Sequence, residues 1–156
     1  MQVPTNNTAL VVAAHPDDEV LGCGGTIARL ATAGCDVHVA FLADGVGSRD
    51  VAQRVDAGQL EQRRAAAQKA ADILGVASVS FDDLPDNRLD TVPLLDIAQR
   101  VETLVSQYQP GMVLTHFAGD LNIDHRRVHQ GVVTACRPQQ GDPVRQLLCF
   151  EVASST

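Results

Sequence analysis

An α/β fold with a mainly parallel sheet and helices on both faces follows from three observations. Short, almost wholly apolar runs recur along the chain, helix-forming stretches with apolar residues at helical spacing alternate with them, and glycines stand where those stretches stop.

The first run, Ala9 to Ala14, is the pattern of a strand buried on both faces, and it breaks off at His15-Pro16. Thr26 to Ala33 reads as a helix with Gly34 at its stop, and Val37 to Leu42 as a second strand. The polar stretch Asp44 to Gln59 carries three glycines and is expected to be a long loop that can serve as a lid. Leu60 to Leu74 is the clearest helix, ended by Gly75. Val79 to Phe81 is a short strand, Leu94 to Tyr108 a helix closed by Pro110, and Met112 to Thr115 another buried strand. Val128 to Cys136 is expected to be helical, opened by Asp124, and Leu147 to Val152 to form the last strand. The alternation predicts a doubly wound, Rossmann-like three-layer sandwich, in which ligands gather at the carboxyl ends of the strands.

Composition narrows the partners. The chain has 156 residues, 45% of them hydrophobic, enough for one domain spanning 1–156 with a sizeable core. Twelve Lys and Arg against nineteen Asp and Glu give a net charge of -7, with no basic run to track a phosphate backbone, so nucleic acid is excluded as the expected partner. Cys23, Cys35, Cys136 and Cys149 stand far apart with no C-x-x-C pair and read as small core residues. No secretory leader or membrane-length apolar stretch is evident, which points to a soluble, cytoplasmic protein with no membrane partner; a homo-oligomer remains open.

The chemistry is expected where the first strand ends. His15-Pro16-Asp17-Asp18-Glu19 puts three acids behind a histidine, a cost that packing does not explain and a divalent cation does. Pro16 stiffens the turn, so that His15 and Asp18 can face one point and Asp17 the space beside it. Catalytic zinc sites commonly take three protein ligands and leave a position open, so a third ligand is sought in DLNIDHRRVH, Asp120 to His129, which also follows a buried strand.

With AAHPDDE, GCGGT and DLNIDHRRV in place, the chain resembles the PIG-L/LmbE family of zinc-dependent N-acetylglucosamine deacetylases, and LPDNRLD (Leu84 to Asp90) fits a bacterial branch of it. The resemblance implies that His15, Asp18 and His125 bind Zn2+, that Asp17 is the general base, and that the substrate is a small N-acetylated amino sugar or its conjugate. It also implies a histidine oxyanion donor three residues before the last ligand. Asn122 stands there, so its amide or His116, at the end of its own strand, is expected to substitute. Family members usually extend beyond the point where this chain stops, so a C-terminal segment is expected to be missing.

Plainer readings apply to the neighbours. Asp124 is either a helix cap or the residue that orients His125. His129 is expected at the surface or supporting the site from behind, Glu19 to cap the turn or touch substrate, and His38 to be structural. Arg64 and Arg88 are expected to be solvated or salt-bridged. Gly22, Gly24 and Gly25 fail the G-x-G-x-x-G spacing, because Ile27 holds the last position, and suit close helix packing better. Two other functions remain: a zinc amidase or peptidase on a non-sugar amide, and a nucleotide-binding module without hydrolytic activity.

Overall fold

The computed structural model describes residues 6–45 and 57–153. In chain order the elements are β1 (Thr8–Ala13), α1 (Asp18–Thr32), β2 (Asp36–Ala43), α2 (Ala57–Leu74), β3 (Ser78–Leu84), a 3-10 turn (Leu89–Thr91), α3 (Leu94–Tyr108), β4 (Met112–His116), α4 (Ile123–Ala135) and β5 (Gln146–Phe150). The five strands pair in the order β3-β2-β1-β4-β5, and every pairing is parallel. The three-layer arrangement expected from the sequence is therefore present, with a sheet that is wholly parallel.

Strand alternation divides the core. Ala9, Val11 and Ala13 of β1 pack towards Ile27 and Leu30 of α1 and Ala67 of α2. Leu10, Val12 and Ala14 pack towards Ile97 and Val101 of α3 and Val128 and Val132 of α4. A strand buried on both faces must be apolar at every position, which is why β1 reads as a continuous run. No helix among the described residues is long and apolar enough to cross a membrane.

Several boundaries differ from the sequence expectation. Helix α1 begins at Asp18, inside the acidic cluster, because carboxylates are stabilised at a helix N-terminus; a kink at Cys23 (φ -144°, ψ 18°) separates that first turn from the expected segment. Helix α4 begins at Ile123, and its cap is Asn122, whose side chain accepts from the Asp124 N–H; Asp124 does not open it. Helix α2 starts at Ala57, so the expected loop ends earlier, and its remaining stretch, 46–56, lies outside the described residues together with the lid assigned to it. Cys23 and Cys35 are buried as expected, but Cys136 is half-buried and Cys149 is exposed on the edge strand β5.

Two glycines are required by close approach. A Cβ on Gly22 would stand 2.3 Å from the Phe150 ring, whereas Gly25 has open space around it, so packing accounts for the first and not the second. A Cβ on Gly131 would stand 2.4 Å from Cγ2 of Ile97, where α4 crosses α3. Overpacking outweighs the better helix propensity of alanine, so Gly131→Ala is expected to lower stability by about 1–2 kcal/mol in denaturant melts. Unchanged stability would contradict this contact.

Candidate metal centre

The strand order reverses between β1 and β4, and this switch point is where parallel sheets open a crevice at their carboxyl ends. His15 lies two residues beyond β1, Asp18 opens α1, and His125 sits in the first turn of α4. The three converge. Asp18 Oδ2 accepts from the His15 backbone N–H at 2.8 Å and lies 3.4 Å from His15 Nδ1, while Asp18 Oδ1 lies 3.2 Å from His125 Nε2. All three residues are buried, and one ligand atom from each lies within 4.8 Å of the others.

This donor set fits a cation. Two ligands about 2.1 Å from a tetrahedral zinc stand roughly 3.4 Å apart, close to the separations seen between Asp18 and each histidine. His125 Nε2 is buried and makes no hydrogen bond, an arrangement that is costly for a polar atom unless it has a ligand role.

The rear nitrogens of both histidines are held by carboxylates. His15 Nε2 lies 3.0 Å from both Asp86 Oδ1 and Asp124 Oδ2, and His125 Nδ1 lies 2.9 Å from Asp120 Oδ2. His15 is thus left with Nδ1 facing the site, and His125 with Nε2. Asp124 does neither of the things expected of it: it supports His15 rather than His125, and its carboxylate also accepts from the backbone N–H groups of Asn87 (2.6 Å) and Leu89 (2.9 Å). The loop after β3 is thereby tied to α4.

The two expected oxyanion donors fare differently. His116 is wholly buried at 0% exposure, its Nε2 accepts from the Ala14 N–H at 2.9 Å, and its ring stacks 3.9 Å from that of His125. It supports the floor of the site and is not presented to a substrate. His116, Asp120 and His125 form another group of potential ligands, but rings inclined by only 12° direct their in-plane lone pairs side by side and not to one point. Asn122 is half-buried and commits its oxygen to the helix cap, which leaves its amide N–H groups as donors.

Asp17 precedes α1 with φ 149°, a strained conformation for a residue with a side chain. Its half-exposed carboxylate accepts from Arg63 Nη2 of α2 at 3.1 Å, and its own N–H donates to Glu19 Oε2 at 3.1 Å, so Glu19 caps the turn. Arg63, Asp86 and Asp120 are the partners sequence reasoning did not single out. Only the density of acids in LPDNRLD and DLNID hinted at two of them. Arg64, by contrast, lies over the Phe81 ring at 5.3 Å, and Arg88 is exposed. His129 Nδ1 lies 2.8 Å from the His116 carbonyl, behind the site, and His38 is structural, bonded to Ser78 and stacked on Tyr108.

The charges are arranged for a cation. Burial disfavours protonated His15, yet hydrogen bonds to Asp124, Asp18 and Asp86 prevail and push it up to about 11. Burial likewise opposes the Asp18 carboxylate, but the imidazoles of His125 and His15 that face its two oxygens hold it far below the usual carboxylate range. Burial pulls His116 down to about 3, so that ring is neutral. Burial and the adjacent Asp18 raise Asp17, against the pull of Arg63. The pocket thus demands positive charge, from protons or from a metal ion.

A family model described as PIG-L, GlcNAc-PI de-N-acetylase, matches residues 10–136. The chain belongs to the PIG-L family. It is 35% identical over 107 residues to diacetylchitobiose deacetylase of Thermococcus kodakarensis, covering 67% of this chain and 39% of that protein. It is also 37% identical over 129 residues to 4-oxalmesaconate hydratase of Pseudomonas putida, covering 76% and 47% respectively. The solved N,N'-diacetylchitobiose deacetylase from Pyrococcus horikoshii aligns with a TM-score of 0.73 at 26% identity, over 86% of this chain and 51% of that one. The chain therefore spans about half, or less, of the length of these relatives.

Proposed function

We propose that this PIG-L chain is a metal-dependent hydrolase that removes an acetyl group from the nitrogen of an amino sugar of the GlcNAc type, free or conjugated. The observation that carries the reading is the convergence of His15, Asp18 and the unbonded Nε2 of His125 beside the half-exposed carboxylate of Asp17. Deacetylases acting on diacetylchitobiose among its relatives support the sugar.

His15 Nδ1, an Asp18 oxygen and His125 Nε2 would hold the ion, and two nitrogens with one carboxylate suit zinc. A zinc ion bound there supplies a Lewis acid and lowers the pKa of water from about 15.7 to about 7. Asp17 takes the proton from the water that attacks the amide carbonyl, and returns it to the departing amine nitrogen. Its raised pKa suits both steps. The bond to Arg63 keeps its carboxylate aimed, and the Asn122 amide donates to the oxyanion of the tetrahedral intermediate. The products are acetate and the free amine of the sugar.

Acetate release from N-acetylglucosamine, N,N'-diacetylchitobiose and N-acetylated peptides tests the reading. Release from the sugars that is abolished by a chelator and restored by zinc is the expected result. Release from peptides alone would turn the reading to a general amidase, and release from none would overturn it. The 37% identity to a hydratase favours one second reading, in which the same site adds water across a carbon–carbon double bond. Turnover of 4-oxalmesaconate without acetate release would establish it.

A further inference from the structure

The segment from Asp120 to His125 does more than supply a ligand. Asp120 Oδ1 accepts from the Asn122 N–H at 2.9 Å, and Asn122 Oδ1 accepts from the Asp124 N–H at 2.8 Å. The ends of this two-step ladder grip different histidines: Asp120 Oδ2 lies 2.9 Å from His125 Nδ1, and Asp124 Oδ2 lies 3.0 Å from His15 Nε2. Arg126 Nη1 braces the outside, donating to the carbonyls of Asp120 (2.9 Å) and Leu121 (3.0 Å). Side chains at alternate positions 120, 122 and 124 therefore form one rigid piece that touches both imidazoles from behind.

We propose that Asp120 and Asn122 are positioning residues that together set the aim of His125 and His15 at the metal. The inference rests on the metal role proposed above. Asp120 accepts from His125 Nδ1–H and so leaves Nε2, the buried nitrogen without a hydrogen bond, as the ligand atom. Asn122 fixes the backbone of Asp124, and through it the carboxylate that holds Nε2 of His15 and leaves Nδ1 facing Asp18. At position 122 a side-chain oxygen at capping distance is thus required for site geometry, independently of any donation to substrate.

Metal affinity and the visible spectrum of the cobalt-loaded protein test this without reference to activity. Asp120→Ala is expected to weaken cobalt and zinc binding about 10–100-fold and to change the cobalt absorption bands, because His125 is free to rotate. Asp120→Asn keeps an oxygen acceptor for Nδ1–H and is expected to recover most of the affinity. Asn122→Ala is expected to weaken binding likewise, and Asn122→Asp, which retains the capping oxygen, to restore it; this pair keeps the test open if Asp120→Ala does not fold. Wild-type affinity and spectrum in Asp120→Ala or Asn122→Ala would overturn the inference, even if thermal stability fell. A wild-type protein that binds neither metal would instead overturn the metal reading itself.

Discussion

Replacing Asp18 with alanine is expected to abolish stoichiometric metal binding, and with it hydrolysis. One carboxylate bonds to the His15 backbone N–H and faces His15 Nδ1 with one oxygen, and faces His125 Nε2 with the other. Its loss removes a ligand and the negative charge that lies between the two imidazoles, so the remaining pair of nitrogens must bind the ion alone. The affinity should fall by more than the roughly 10–100-fold that loss of a supporting partner costs. Metal analysis of purified protein, with chelator competition, reads the effect directly. One zinc retained per chain in Asp18→Ala would show that the ion sits elsewhere.

Asp17→Asn is expected to lower kcat by about 10²–10⁴-fold, the usual contribution of a positioned acid–base group, with metal content unchanged. The amide keeps the size of the side chain and an oxygen for the Arg63 bond, but it cannot take a proton. If Asp17 only held a neighbour by hydrogen bonding, asparagine would preserve activity, so the substitution separates the two roles. The pH profile adds a second reading. A base must be deprotonated to act, so the rate rises as pH increases through its pKa; burial and Asp18 raise that of Asp17, so the acidic limb should be displaced upward from that of a free aspartate. That limb should disappear in Asp17→Asn.

Much of this was legible because it is local. The apolar run Ala9 to Ala14 announces a strand buried on both faces, and His15 and Asp18 are only three residues apart on a turn stiffened by proline. The helix starts were less legible, because acids that look hostile to helix formation are favourable in its first turn, as Asp18 and Glu19 are. The partner of Asp124 could not be read at all. His125 is its sequence neighbour, but residues adjacent on a helix point in different directions, and the carboxylate turns instead to His15, 109 residues away.

The sequence by itself determined the α/β class and the strand ends at which chemistry gathers, since periodicity and short spacing encode both, and its resemblance to the PIG-L family pointed to the residues of the candidate metal site. Only the tertiary structure decided which nitrogen of each histidine faces the site, because that depends on carboxylates from the loop after β3, from the turn before α4 and from the first turn of α4. It also decided that His116 lies beneath the site and that Asn122 is a cap. Such choices rest on contacts between segments far apart in the chain, and these exist only once the sheet has brought β1 and β4 side by side.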